Sequence, residues 1–309
     1  TIRAICGALK SAGYQPVTLE ADTGFVEKLK SARVDLVFNI AEGANGRGRE
    51  AQVPAILSFL GIPFTGSDET TLGIALDKAM TKRYLSAFGV PTPAYRLVDS
   101  AGLGSGPKLK YPVIVKPDCE GSGKGIGDLA MAENSPQLRA VLERDLKLYG
   151  EPMLVEEYVT GREFTVGLLG NGEDLTAFEP MEIRYLHGDP ERGVYSYRVK
   201  TNYKKYVDYR CPADISPEVS DTMKKMAKRI FRALDCRDFA RIDFRLSREK
   251  VPYFIEINPL PGLAPGYSDY PMLARFCGMD YQPLILGIVR SALQRYGGVR
   301  SAGRGGETA

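Results

Sequence analysis

Two strand-length runs on either side of a short charged turn, residues 237–246 and 253–262, restrict this chain more than any other stretch. Apolar and polar residues alternate in both runs, and the turn Ser247 to Lys250 between them is charged, so the segment predicts an antiparallel hairpin. Residues two apart in a strand share a face, which groups Arg241, Asp243 and Arg245 on the first strand. On the second strand Glu256 and Asn258 share a face, with Ile255 and Ile257 on the other. If the strands pair in register, Asp243, Glu256 and Asn258 form an all-oxygen cluster. Such donors suit Mg²⁺ or Mn²⁺ and usually go with phosphate-bearing substrates; a solvated sheet face is the other reading.

Composition removes several function classes. A chain of 309 residues supports two or three domains. Its net charge of +3 gives no electrostatic case for nucleic acid. Cys6, Cys119, Cys211, Cys236 and Cys277 are scattered without a C-x-x-C pair, which fits reduced thiols in a cytoplasm rather than a zinc site or disulfide framework. No apolar run reaches membrane-spanning length, and no signal peptide precedes Thr1, so a cytoplasmic location without a membrane partner is expected. The lone histidine, His187, sits in a polar, loop-like context, which leaves a Ser-His-Asp triad or a His-rich metal site nothing else to use.

Taken in order, the N-terminal part reads as α/β. Helical spacing covers 1–12 and 24–31, strands are expected at 15–20, 34–39 and 62–65, and a Gly-rich loop (42–50) leads into a helix at 51–60. This is a small doubly wound unit that opens on a helix, so its N-terminal strand is expected to be missing. Residues 67–73 read as a polar connection and 76–88 as a helix, broken by Gly89-Val-Pro-Thr-Pro93 at a domain boundary. Lys82 in that helix reads as an ordinary surface lysine. Strands follow at 95–98 and 111–116, the second running into a loop with four glycines between Asp118 and Gly127. Glycines let backbone N–H groups approach phosphate oxygens and Lys116 supplies charge, though the loop is neither a Walker A nor a Rossmann fingerprint. A flexible surface turn is the alternative.

The strand 153–159 ends with Glu156 and Glu157, which could accept from an adenine amine and from ribose hydroxyls, or simply charge an exposed edge. Residues 186–209 are polar and tyrosine-rich, the character of a lid or of a surface insertion. Helices are expected at 216–234 and 281–296, and 297–309 reads as a disordered tail. The expected division is 1–75, 76–170 and 171–296, followed by the tail.

Five blocks carry a resemblance: Asp77-Lys78 with Lys82, Val115-Lys-Pro117 with its glycine loop, Glu156-Glu-Tyr-Val159 with Gly161-Arg-Glu-Phe-Thr-Val166, Ala240-Arg-Ile-Asp243, and Phe254 through Gly262. In this order and spacing the chain resembles the D-alanine–D-alanine ligase branch of the ATP-grasp superfamily. The resemblance implies an ATP-grasp fold, α+β in its ATP-binding part, behind a small pre-ATP-grasp domain. It implies ATP, two Mg²⁺ or Mn²⁺ ions and small amino-acid-like substrates, with a possible homodimer and a place in peptidoglycan synthesis.

Residue by residue, the resemblance gives Lys82 and Lys116 to the ATP phosphates and Gly121, Ser122 and Gly123 to the loop closing over them. Glu156, Glu157 and Val159 match adenine contacts, Tyr158 and Ile255 further ATP contacts, and Glu163 the ribose contact. Lys200 matches a lid lysine near the transferred phosphoryl group. Asp243, Glu256 and Asn258 match metal ligands. Arg241 and the Gly262 N–H match the groups stabilising a tetrahedral intermediate, with Ser122 and Lys200 also catalytic. Ser268 matches the group receiving the second substrate's carboxylate.

Three departures concern the amino-acid side. Ala41-Glu42-Gly43 stands where a histidine-glycine pair is usual, which makes Glu42 a candidate substrate contact. Ser122-Gly123-Lys124 replaces a two-serine loop, and Thr201 replaces a tyrosine. The expected function is an ATP-dependent ligase joining two amino acids through an acyl phosphate. The alternatives are a ligase for another substrate pair and a non-catalytic nucleotide-binding relative.

Overall fold

The computed structural model describes residues 1–102, 108–120, 130–189 and 191–297. Helix α1 (Ile2–Ser11) buries Ile5 and Ala8 against the cluster of Phe239, Tyr270, Leu284 and Ile288, so the start of the chain shares the core of its end. Helix α2 (Phe25–Ala32) and helix α3 (Gln52–Phe59) enclose a separate small core of Phe25, Leu29, Val53, Leu57 and Phe64. The strands expected at 34–39 and 62–65 meet as one parallel bridge, Val37 to Phe64. Residues 15–20 form no strand.

Residues 67–73 are not a mere connection. Asp68 accepts a hydrogen bond from the Thr71 N–H and starts helix α4 (Glu69–Leu76). Asp77 then ends α4 and caps helix α5 (Lys78–Ser86) by accepting from the Met80 N–H. One residue thus turns the single helix expected from 76 onward into the second of two.

A four-stranded antiparallel sheet follows: β1 (Tyr95–Val98), β2 (Val113–Pro117), β3 (Met131–Ala132) and β4 (Met153–Glu157), ordered β1-β4-β2-β3. Helix α6 (Ser135–Tyr149), capped by Asn134, lays Leu138, Val141 and Leu142 on Val113, Val115, Met153 and Val155.

The larger sheet starts with β5 (Gly161–Leu169), so the change of sheet falls before residue 170, where the domain boundary was expected. It continues with β6 (Thr176–Ala177) and β7 (Met181–Tyr185). The tyrosine-rich segment folds into two short helices, α7 (Tyr197–Thr201) and α8 (Tyr203–Tyr206), before strand β8 (Val207–Arg210). Helix α9 (Pro217–Ala233), strands β9 (Phe239–Ser247) and β10 (Pro252–Asn258), and helices α10 (Asp269–Phe276) and α11 (Tyr281–Arg295) complete the chain. The strand order is β10-β9-β5-β7-β8, with β6 beside β5.

Helix α9 packs Met223, Ala227 and Ile230 on one face of this sheet, while α10 and α11 cover the other with Tyr270, Leu273 and Ile288. Phe164, Val166, Leu168, Ile242 and Phe244 are wholly buried between these layers, each worth roughly 1.5–3 kcal/mol. Among the described residues no helix is long and apolar enough to cross a membrane. Of the expected tail only Gly297 is described; 298–309 lie outside the described residues.

Candidate active site

The hairpin forms as the alternation predicts, with one irregularity that decides its chemistry. Phe254 pairs with Phe244, but the next pair is Glu256 with Asp243, followed by Asn258 with Arg241. Ile255 is a bulged extra residue. Unbroken pairing would set Ile255 opposite Asp243 and turn Glu256 to the other face; the bulge restores Glu256 to the side of Asp243. Ile255 therefore does not share the buried face of Ile257, and its carbonyl accepts from Lys82 Nζ at 3.0 Å.

The register sets Asp243, Glu256 and Asn258 on one face of the hairpin. Arg241 grips Asp243 fork to fork, Nε to Oδ1 at 3.0 Å and a terminal nitrogen to Oδ2 at 2.8 Å. Asn258 Nδ2 donates to Asp243 Oδ2 at 3.4 Å. Burial raises the carboxyl of Asp243 above its ordinary range despite Arg241. Burial also opposes the charged form of Glu256, but Lys78, Lys116, Arg241 and Lys200 outweigh it and hold that carboxyl down to about 2. Two carboxylates and an amide, one acid kept ionised by surrounding cations, fit hard divalent ions by the chemistry of the donors.

A second crowding of ligand atoms, Asp77, Asp118 and Cys119 within 4.8 Å, has a structural explanation. Its carboxylates accept the Met80 and Ala79 N–H groups at the start of α5.

Facing the hairpin from the smaller sheet is a buried triad. Glu156 on β4 is 1% exposed and lies between Lys82 of α5 and Lys116 of β2. Lys82 Nζ stands 2.6 Å from Glu156 Oε1, off the hydrogen-bond directions, so the contact is one of charge. Lys116 pairs with Oε2. Burial is the largest influence on Lys82 and lowers its ammonium to about 8, although Glu156 raises it. Glu156 is opposed by burial but kept low by Lys116 and Lys82. Lys82 is accordingly no surface lysine, and the side chain of Glu156 is no open strand-end acceptor. Glu157 points elsewhere and accepts from the Lys110 N–H at 2.9 Å.

Only Tyr158, Val159 and Thr160 separate the two sheets. Arg245, placed by its strand position but given no role by the sequence, fastens this link. It donates to the carbonyls of Val159 at 2.8 Å, Gly161 at 2.6 Å, Gly193 at 2.9 Å and Glu191 at 2.9 Å. Its guanidinium stacks on Tyr158, 4.5 Å from the ring centroid. Glu163 accepts from Arg245 and from the Tyr185 hydroxyl, and burial raises its carboxyl.

At the far end of the cluster, the sequence reading missed Asp269. This buried acid accepts from Arg241 at 3.0 Å and from the Tyr195 hydroxyl at 3.0 Å, with Lys200 Nζ at 3.5 Å. Nothing local marks it, since an acid at the start of a helix is explained by the helix dipole alone. Ser268 precedes it and accepts from the Ala264 N–H at 3.1 Å. A Cβ on Gly262 would come within 2.7 Å of Ser268 Oγ, so only glycine allows this approach. Glu42 is exposed on the Gly-rich loop; burial first, with a contribution from Glu42, raises its neighbour Glu50 to about 7. The candidates Gly121, Ser122 and Gly123 lie outside the described residues.

A family model described as "D-ala D-ala ligase C-terminus" matches residues 84–290. A D-alanine–D-alanine ligase of Bordetella avium is 35% identical over 287 residues, covering 92% of this chain and 86% of that protein. An uncharacterized protein of Sinorhizobium fredii is 34% identical over 302 residues, 95% of this chain and 88% of its own length. The solved D-alanine–D-alanine ligase of Bacillus anthracis, complexed with ATP, superposes with a TM-score of 0.73 at 23% identity. That superposition covers 95% of this chain and 91% of the other, and it speaks for the fold.

Proposed function

The chain belongs to the D-alanine–D-alanine ligase family of ATP-grasp enzymes, and from that premise we propose that it joins a carboxylate to an amine through an acyl phosphate, releasing ADP and phosphate. The observation that carries the proposal is the set Arg241, Asp243, Glu256 and Asn258 on one hairpin face, opposite Lys82 and Lys116. Binding nucleotide alone does not call for Arg241, which counts against a non-catalytic relative.

In this reading Lys82 and Lys116, held by Glu156, bind the ATP phosphates. The link at Glu157, Tyr158 and Val159, with Ile255, receives the adenine, and Glu163 the ribose. Asp243, Glu256 and Asn258 would hold two Mg²⁺ or Mn²⁺ ions, which neutralise phosphate oxygens when bound. Lys200 adds charge on the transferred phosphoryl group. Arg241 and the Gly262 N–H stabilise the oxyanion formed when the amine attacks. Water must be kept from the acyl phosphate, a task that suits the segment carrying α7 and α8, since its Tyr195 and Lys200 reach Asp269.

The family's own pair, D-alanine with D-alanine, is the first substrate reading and would tie the protein to the cell wall. Asp269 favours a second one, with a different acceptor. ADP release in a coupled assay over a panel of amino acids tests the ligase proposal. Asp243→Asn and Glu256→Gln should each lower Mg²⁺-dependent turnover at least ~100-fold, about 3 kcal/mol of transition-state stabilisation. Variants that turn over like the parent would sink the proposal.

A further inference from the structure

Asp269 opens α10 immediately after Ser268 and is 1% exposed. Its Oδ2 takes Arg241 at 3.0 Å and Lys200 at 3.5 Å; its Oδ1 accepts from the hydroxyls of Tyr195 at 3.0 Å and Tyr209 at 3.5 Å. Tyr195 and Tyr209 also share a hydrogen bond of 2.6 Å, and burial pushes both phenols far up, so they remain donors. Cations and phenols drawn from β8, β9 and the lid segment thus converge on one carboxylate. That arrangement is an anion-binding pocket, and the anion filling it belongs to the protein.

The other cations of the site also have acceptors. Arg241 is divided between Asp243 and Asp269, and Lys82 and Lys116 share Glu156. Lys78 donates to the carbonyls of Pro117, Asp118 and Glu120. Among the described residues of the site, each of these cations is already matched.

We propose that Asp269 sets the acceptor class: the attacking amine carries no carboxylate beside it. This rests on the ligase reading above. An acceptor carboxylate brought to the Ser268 hydroxyl would stand next to Asp269, like charge against like in a desolvated corner. To be neutralised it would have to draw Arg241 or Lys200 away, leaving Asp269 buried with one cation fewer against it. An amine whose neighbouring group is neutral meets neither obstacle. The chemistry is otherwise unchanged. The amine lone pair forms the C–N bond, the C–O bond to phosphate breaks with its electrons, and the amine proton leaves on the phosphate.

The test separates the two halves of the reaction. Hydroxylamine, small and neutral, traps an acyl phosphate as a hydroxamate whatever the acceptor preference, so an amino-acid panel with ATP, Mg²⁺ and hydroxylamine identifies the donor. With that donor, each enantiomer of alanine is compared with its alaninamide by ADP release and product mass. The parent should prefer an alaninamide by at least ~10-fold in kcat/KM. Asp269→Asn, which keeps the shape and an acceptor for the phenols, should bring the two within ~3-fold, chiefly through the KM of alanine. A parent that prefers alanine overturns the acceptor assignment and leaves the ligase reading standing. Absence of hydroxamate with every donor overturns both. The comparison in the parent decides the matter even if the variant fails to fold.

Discussion

Replacing Glu156 by glutamine removes one charge from between two buried lysines and changes almost nothing in shape. The side chains of Lys82, Glu156 and Lys116 are 0%, 2% and 4% exposed, so solvent gives little screening. Removing one partner of a buried pair costs ~3–5 kcal/mol. Lys82 keeps the Thr92 hydroxyl and the Ile255 carbonyl, both at 3.0 Å, which holds the loss toward the lower figure. An upper limit comes from Lys82 itself, whose ammonium sits at about 8 while Glu156 is present. Without that support it falls further, and neutralising a lysine at neutral pH costs no more than ~5 kcal/mol. A loss of ~3–5 kcal/mol lowers Tm by roughly 5–8 °C for a chain of this size.

Scanning calorimetry with and without an ATP analogue and Mg²⁺ reads the effect. Phosphates entering between the lysines replace the missing charge, so the analogue should raise Tm more in Glu156→Gln than in the parent. The folded-state carboxyl of Glu156 lies below its ordinary value. Its contribution is therefore present above the ordinary carboxylate range and fades as pH falls below it, where parent and variant converge. A variant melting within ~2 °C of the parent near neutral pH would refute the reasoning.

Glu50 gives the opposite pH sign: its carboxyl is raised from 4.5 to about 7, so the folded state binds the extra proton and stability falls as pH rises across that interval. Glu50→Gln should flatten this slope by of order 1–2 kcal/mol in urea titrations at several pH values; an unchanged slope counts against the assignment. Asp238 is wholly buried and accepts from the Gly66 N–H at 2.7 Å, Asn171 at 2.8 Å and Arg295 at 3.0 Å, joining α11 to the turns at Gly66 and Asn171. Asp238→Asn should cost ~2–4 kcal/mol in chemical denaturation while leaving nucleotide affinity, measured by calorimetry, at the parent value.

The hairpin and its acids were legible because a strand has period two and the turn is short. Lys116 could be found from its strand and glycine loop. Lys82 could not be told from a surface lysine, since the carbonyl and carboxylate that bury it come from β10 and β4, far along the chain. Arg245 had a face but no visible task, because its acceptors lie between Val159 and Gly193. Helix α4 was hidden by polar residues whose second member, Asp68, is its cap. The strand expected at 15–20 has suitable residues but no pairing partner among the described residues.

The extra residue at Ile255 has a consequence that substitution scanning would miss. A ribbon has two sides, and counting along it by one decides which side the next residue takes. The acids at 243 and 256 are thus held together by the number of residues between them as much as by their identity. A relative could keep every ligand and lose the centre by dropping a single position, a frameshift written in three dimensions.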